Sequence, residues 1–232
     1  MGHQIIAVFK MNAKEILMNM SMLTSVSLPV LMTLMFQRID TVDGQTIPFI
    51  IINVIIGITF ASALSSILMG LLAEENEYGT MNHMYTDRKD MAANMMGKAL
   101  LLFVTTFIIL GINFIIIGYT DMLDLRGLTV LLLIWLFFFF ISAGLGMLSN
   151  SVAASSLFIM IILFVFAMAP YIELLIEDRT NIFRQFFELT PVYQIKFIEE
   201  GFVAEPYFNL IVWLIFSVVF FLIVFNKKVK SL

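Results

Sequence analysis

The chain has 232 residues, a net charge of −4, no cysteine, and a hydrophobic share of 61%. A mean hydropathy of +1.00 excludes an ordinary soluble domain and indicates a polytopic membrane protein. The lack of cysteine excludes disulfides, thiol catalysis and cysteine metal sites. The histidines, His3 and His83, lie on separate segments without a metal-binding spacing, so we predict no metal site, cofactor site or enzyme activity on this chain.

Six apolar runs divide the chain. Each has about 20 residues, which as a helix span the roughly 30 Å hydrocarbon core of a bilayer. The 13 basic and 17 acidic residues can all be placed outside that core. We therefore predict an all-α integral membrane protein in which residues 1–232 form one transmembrane domain. The predicted spans are 16–36, 48–73, 97–119, 128–149, 152–171 and 207–225.

An even number of spans places both termini on one side of the membrane. The positive-inside rule makes that side the cytoplasm, because it then carries most of the basic residues. The basic residues on that side are Lys10, Lys14, Arg88, Lys89, Lys98, Lys227, Lys228 and Lys230.

A short helix is predicted over residues 3–15, before the first span. Ile5, Phe9 and Ala13 recur at a helical spacing, while Lys10 and Lys14 share another face. This pattern favours a helix lying in the headgroup region, and the alternative is a basic flank without that role.

Small residues mark two places of close helix packing. Gly57, Ala61 and Ser65 form a stripe along the second span, either for packing within the chain or for a subunit interface. The fourth and fifth spans are joined by Asn150 and Ser151 alone, which predicts a tight helical hairpin.

The polar segment between the second and third spans predicts a helical elbow. Gly79 suits the end of the second span, and Thr80 can cap a short helix whose apolar face holds Met81, Met84 and Tyr85. A further helix from Asp87 runs on into the third span. A methionine-rich face suits docking to a partner, although these methionines can also rest on the bilayer surface.

The loop over 172–206 is both acidic and apolar. Its periodicity predicts two short amphipathic helices on either side of Thr190-Pro191. Glu173, Glu177 and Asp178 form either a receiving site for a cationic substrate or a solvated rim. Inside the spans, Asn53 and Asn113 either line a conduit or form hydrogen bonds between helices.

The pattern resembles the membrane subunits of the type-2 ABC-transporter permease family. Its local signature is an acidic-Gly-Thr segment after the second span, then a short helix, then Gly-Lys at the start of the third span. The chain supplies Glu75-Asn76-Glu77-Tyr78-Gly79-Thr80, then Met81–Asp87, then Gly97-Lys98. Leu189-Thr190-Pro191 matches a pattern before the last span. Family members often carry a proline where this chain has Thr86-Asp87, so the chain departs from the family pattern at this point of the elbow.

The resemblance implies a dimer, of identical or paralogous subunits, in a bacterial plasma membrane. A cytoplasmic ABC ATPase on another chain would bind ATP and magnesium, since this chain lacks a phosphate-binding Gly-x-x-x-x-Gly-Lys-Ser/Thr motif. The elbow would couple the ATPase to the spans. Its implied coupling residues are Glu75, Glu77, Gly79, Thr80, Met81, Met84 and Tyr85.

The spans are rich in Phe and Met and carry no charge near their centres, which favours export of hydrophobic or amphipathic cargo such as antimicrobial peptides. Two alternatives stay open. One is an exporter of lipid, polysaccharide or ions from the same family. The other is a membrane scaffold or sensor that docks a regulator.

Overall fold

The computed structural model describes residues 1–38, 48–80, 88–119, 121–202 and 204–230, and over these ranges it is helical without strands. The helices that carry the argument are α1 (Gly2–Met18), α2 (Met20–Gln37), α3 (Phe49–Thr59), α4 (Ile67–Glu77), α5 (Arg88–Ile117), α6 (Leu125–Leu148), α7 (Val152–Ile162), α8 (Ile172–Leu175), α9 (Ile182–Glu188), α10 (Gln194–Glu199) and α11 (Ala204–Val229). A π-helical stretch, Phe60–Ser66, joins α3 to α4 without a break in the helical path.

Five helical segments are long and apolar enough to cross a membrane, and a bent pair makes a sixth if it counts as one span. This confirms the all-helical fold class and indicates a multi-pass membrane protein. The count of six rests on the bent pair. The five segments are Met20–Gln37, Phe49–Glu77, Arg88–Ile117, Leu125–Leu148 and Ala204–Val229.

The bend lies in the predicted fifth span. Val152–Ala167 and Ala169–Leu175 meet at 53°. The helix widens into a π turn at Leu163–Ala167, tightens into a 3-10 turn at Ala169–Tyr171, and contains Pro170, which has no backbone N–H to donate. The apolar run over 152–171 is therefore a broken helix, where the sequence predicted a single span.

The predicted N-terminal helix is present and longer than expected. α1 runs to Met18, and the extended backbone of Asn19 separates it from α2, while the Asn19 side chain accepts a hydrogen bond from the Ser21 amide at 3.0 Å. The predicted first span, starting at 16, thus includes the end of α1. A Cβ at Gly97 would lie 2.7 Å from the Val8 side chain, so α1 crosses α5 closely there.

The central element is the continuous helix Phe49–Glu77, whose side chains are mostly buried by the rest of the chain. A Cβ at Gly57 would lie 2.2 Å from the Ala167 carbonyl oxygen, and Ala61 and Ser65 are buried as well. The small-residue stripe therefore serves packing within the chain. Gly146 of α6 similarly allows close contact with Leu72.

The outer helices divide into two groups around this centre. α1 and α2 pack against α5, whereas α11 packs along α6. The two groups meet mainly through the central helix, which leaves a cleft between α5 on one side and α6 and α11 on the other. α9 and α10 confirm the two predicted short helices before the last span.

Candidate functional site

Four consecutive residues at the end of the central helix each contact a different neighbouring part of the bundle. We call Glu74, Glu75, Asn76 and Glu77 the helix-end clamp. Successive residues of an α-helix are about 100° apart, so four of them face all sides of the helix. Because α4 is surrounded by other helices, its last polar turn has neighbours in each direction.

Glu75 pairs with a buried lysine of α5. The Lys98 Nζ donates to Glu75 Oε1 at 2.6 Å and to Asn94 Oδ1 at 2.8 Å, and the Asn94 amide donates to Glu75 Oε2 at 3.3 Å. The Lys98 side chain is 0% exposed and that of Glu75 is 13% exposed. The ammonium is thus held inside the protein by groups on two helices, as buried charge requires.

Asn76 and Glu77 hold the predicted hairpin between α6 and α7. The Asn76 amide donates to the Gly146, Met147 and Ser149 carbonyl oxygens at 3.4, 3.2 and 2.9 Å. These carbonyls belong to the end of α6, where a helix leaves acceptors without partners. The Glu77 Oε2 accepts from the Val152 amide at 2.9 Å, placing a carboxylate at the positive N-terminus of α7.

Glu74 faces the junction of α1 and α2. The Asn19 amide donates to Glu74 Oε1 at 3.5 Å, and Glu15 of α1 lies beside the same carboxyl. Burial, followed by the hydrogen bond and the negative charge of Glu74, raises the pKa of the Glu15 carboxyl to about 7. The Glu15 carboxyl is therefore partly protonated near neutral pH.

Gly79 ends the central helix as predicted. Its φ of +67° is a left-handed conformation that glycine adopts without strain, and its amide donates to the Asn76 carbonyl at 3.1 Å. The Thr80 hydroxyl donates to the Glu75 carbonyl at 3.1 Å. The remaining predicted coupling residues, Met81, Met84 and Tyr85, lie outside the described residues, as does His83.

The intramembrane asparagines are buried but do not contact one another through hydrogen bonds. The Asn113 amide donates to Thr59 Oγ1 at 3.1 Å, which links α5 to α3. Within the described part of the chain, both polar atoms of the Asn53 side chain lack partners. The interhelical interpretation thus fits Asn113, while a conduit at either residue stays a prediction.

At the opposite end of the bundle, the acidic loop is internally paired. The Lys196 Nζ donates to Glu173 Oε1 at 2.5 Å, and the Tyr193 hydroxyl also donates to Glu173. Burial, followed by the Glu173 hydrogen bond, raises the pKa of Tyr193. The Arg184 Nη1 donates to the Ile176 and Glu177 carbonyl oxygens, each at 2.8 Å. Glu173 is thus paired within the chain, while a receiving site for a cation at this loop stays a prediction.

Sequence reasoning placed Glu75 and Glu77 in the site and gave Lys98 only as part of the Gly97-Lys98 signature, and it missed Glu15 and Asn94. The available signal was the charge of Lys98, which stands inside the third predicted apolar run. A charged residue within such a run needs a partner, and Glu75 was among the candidates.

No family model, curated protein or solved structure matches this chain.

Proposed function

We propose that the chain is the membrane subunit of an ATP-driven exporter of the ABC type, with its ATPase on a separate polypeptide. The observation that supports it best is the helix-end clamp. The clamp directly precedes the segment 81–87, where the sequence predicts the coupling helix. A force applied to that segment would reach α4 through Gly79 and Thr80.

The clamp would pass this displacement to the rest of the bundle. Glu74 contacts the α1–α2 junction, Glu75 contacts α5, Asn76 the end of α6 and Glu77 the start of α7. One rigid turn would thus move several helix ends together. In this proposal Glu75 and Glu77 do not bind the ATPase directly, because they are occupied within the chain.

The proposed cargo is hydrophobic or amphipathic, such as antimicrobial peptides. In the third span, no charged residue follows Lys98 before the helix ends at Ile117, and the second span has none between Phe49 and Ala73. A transporter driven by protons or ions needs titratable groups at that depth, whereas one driven by an external ATPase does not. The proposal includes a dimer of such subunits in a bacterial plasma membrane, with both termini in the cytoplasm.

Co-purification tests whether the chain binds an ATPase. The tagged chain is extracted from its host in mild detergent, and the bound proteins are identified by mass spectrometry. We expect a stoichiometric ATPase with a phosphate-binding loop, and a second permease if the dimer is heteromeric. Recovery of a regulator without ATPase, repeated in lipid nanodiscs, would favour the scaffold and contradict the proposal.

The coupling role is tested with Glu77→Leu in the reconstituted complex. Leucine removes the acceptor for the Val152 amide, so ATP hydrolysis should continue while transport of an amphipathic peptide falls. Glu77→Gln keeps an acceptor and should retain most transport. Glu205→Gln, at an exposed position at the other end of the bundle, is the matched control. Unchanged coupling in Glu77→Leu would reject the clamp as the transmitting element.

The cargo is tested in cells. Deleting the gene should lower the export of amphipathic peptides or the resistance of the cells to them, and the intact gene should restore it. Unchanged export in otherwise matched cells would exclude these peptides as cargo.

A further inference from the structure

The cleft between α5 and the α6–α11 pair is an apolar groove at the clamp end of the bundle. It encloses about 330 Å³ between Met95 and Met96 of α5, Trp135 and Phe139 of α6, and Phe221 and Phe225 of α11. A second cavity of about 440 Å³ shares Met96 and Trp135 with it and continues along α5 to Phe103. The two cavities share these lining residues, and we treat them together as one groove.

The aromatic wall of this groove is held in place by the protein itself. The Trp135 and Phe139 rings stack with centroids 5.2 Å apart, and Phe221 contacts Phe225 with centroids 5.5 Å apart. All four side chains are at least nine-tenths buried, yet they border the groove. Because aromatic contacts fix these rings, the groove is a preformed feature of the fold.

The length of the groove matches one leaflet of a bilayer. Along α5 it extends from Ala92 to Phe103, which at a rise of 1.5 Å per residue is about 16 Å. Half of a hydrocarbon core of roughly 30 Å is about 15 Å. A single acyl chain of that length would therefore fill it. Leaving the groove empty would forfeit the dispersion contacts of its walls.

The mouth of the groove is basic. Arg88, one helical turn before Ala92, is exposed, and its guanidinium carbon lies 5.9 Å from the centroid of the Phe225 ring. Lys227 and Lys228 lie two and three residues after Phe225, at the end of α11. The nearby Asp90 accepts a hydrogen bond from the Gln4 amide at 2.9 Å. Arg88 is exposed, and a guanidinium forms charge-assisted, bidentate hydrogen bonds with a phosphate.

We propose that this groove is a binding site for an anionic phospholipid, with one acyl chain between α5 and the α6–α11 pair and the phosphate at Arg88. The guanidinium provides a bidentate donor for the phosphate, and the lysines add attraction for a second negative charge on the headgroup. The site is independent of the ATPase proposed above. Anionic and zwitterionic lipids carry the same acyl chains, so the apolar groove cannot distinguish them. The basic residues at its mouth provide the selectivity.

The chain contains two tryptophans, and one of them borders the groove, which allows a direct test. Trp213→Phe leaves Trp135 as the sole tryptophan, whose fluorescence is excited selectively over that of tyrosine. The variant is reconstituted into phosphatidylcholine vesicles in which brominated phosphatidylglycerol or brominated phosphatidylcholine replaces increasing fractions of lipid. Bromine quenches tryptophan on contact, so the mole fraction for half-maximal quenching measures the lipid preference of the groove.

We expect brominated phosphatidylglycerol to quench Trp135 at a clearly lower mole fraction than brominated phosphatidylcholine. Arg88→Gln in the same background should lower this preference about fivefold, the effect of one cation near an anionic lipid. Arg179→Gln, which removes an exposed arginine at the opposite end, should leave it unchanged. Trp135→Phe leaves Trp213, which should be quenched equally by the two lipids.

Equal quenching of Trp135 by both lipids, no quenching, or a preference that is unchanged in Arg88→Gln would each overturn the proposal. Native mass spectrometry of the chain with both tryptophans, taken from vesicles with equal amounts of the two lipids, provides a second readout that does not depend on Trp213→Phe. One retained phosphatidylglycerol, lost in Arg88→Gln, is the expected result. Equal retention of both lipids contradicts it.

Discussion

The buried ion pair of the helix-end clamp gives the sharpest stability prediction. In Lys98→Met the Glu75 carboxylate loses its cation, while the hydrogen bond from the Asn94 amide remains. At 2.6 Å and an effective dielectric constant of about 20, the Coulomb attraction is about 6 kcal/mol. Dehydration of the two ions opposes it by several kcal/mol each, so the intact pair has a small net effect.

Removing one partner of the pair changes the free energy of unfolding by more than the net contribution of the intact pair. One charge stays buried without its partner, and such changes typically cost about 3–5 kcal/mol. We therefore expect Lys98→Met to lower the free energy of unfolding by that amount, measured by denaturation of the purified protein in mixed detergent micelles. Lys14→Met removes an exposed lysine of α1 and should change it by less than about 0.5 kcal/mol.

The double variant Glu75→Gln/Lys98→Met separates the pair from other effects. With both charges removed, no uncompensated ion is left, so the double variant should be more stable than Lys98→Met alone. A loss below about 1 kcal/mol in Lys98→Met, or additive losses in the double variant, would refute the reasoning. Either result would mean that water or another group solvates Glu75 once Lys98 is gone.

Two further predictions concern packing and pH. Gly57→Ala should lower the free energy of unfolding by about 1–3 kcal/mol, because the new methyl group would lie 2.2 Å from the Ala167 carbonyl oxygen. Gly111→Ala, which has open space at its Cβ, should not lower it. Equal effects of the two substitutions in thermal unfolding would contradict the packing argument. The raised pKa of Glu15 means that the folded state binds its proton more tightly, so the stability from this group is complete below pH 4.5 and is lost as the pH rises through about 7. Glu15→Gln should flatten the pH dependence of the unfolding midpoint between these values, and an unchanged slope in this variant would exclude Glu15 as its source.

Hydropathy located the membrane helices well because a bilayer excludes charge and unpaired backbone, a constraint that acts on each segment separately. Hydropathy missed the places where a helix breaks or bends inside an apolar run. The break at Asn19 and the bend near Met168 leave the hydropathy of their runs unchanged. Pro170 was the one local signal for the bend, and proline is too frequent in membrane helices to decide it.

The candidate site was predictable in position but not in its contacts. The acidic turn at 74–77 stands out as the first polar residues after a long apolar run. Its partners are separated from it by about 20 to 75 positions in the chain, from Lys98 to Val152. Which residues meet over such distances depends on how the helices pack, and no local pattern in one sequence encodes that.

The clamp and the groove use the same helix in different ways. α5 carries Lys98 on the face that meets Glu75, and it carries Met95, Met96 and Ala99 on the face that lines the groove. Residues three or four apart on a helix move together with its backbone. A shift of α5 that is driven through Glu75 would therefore also change the width of the groove. The lipid preference of the groove, measured by quenching of Trp135, should then differ between Glu75→Gln and the parent protein, although Glu75 does not line the groove. An identical preference in the two proteins would show that the clamp and the groove act independently.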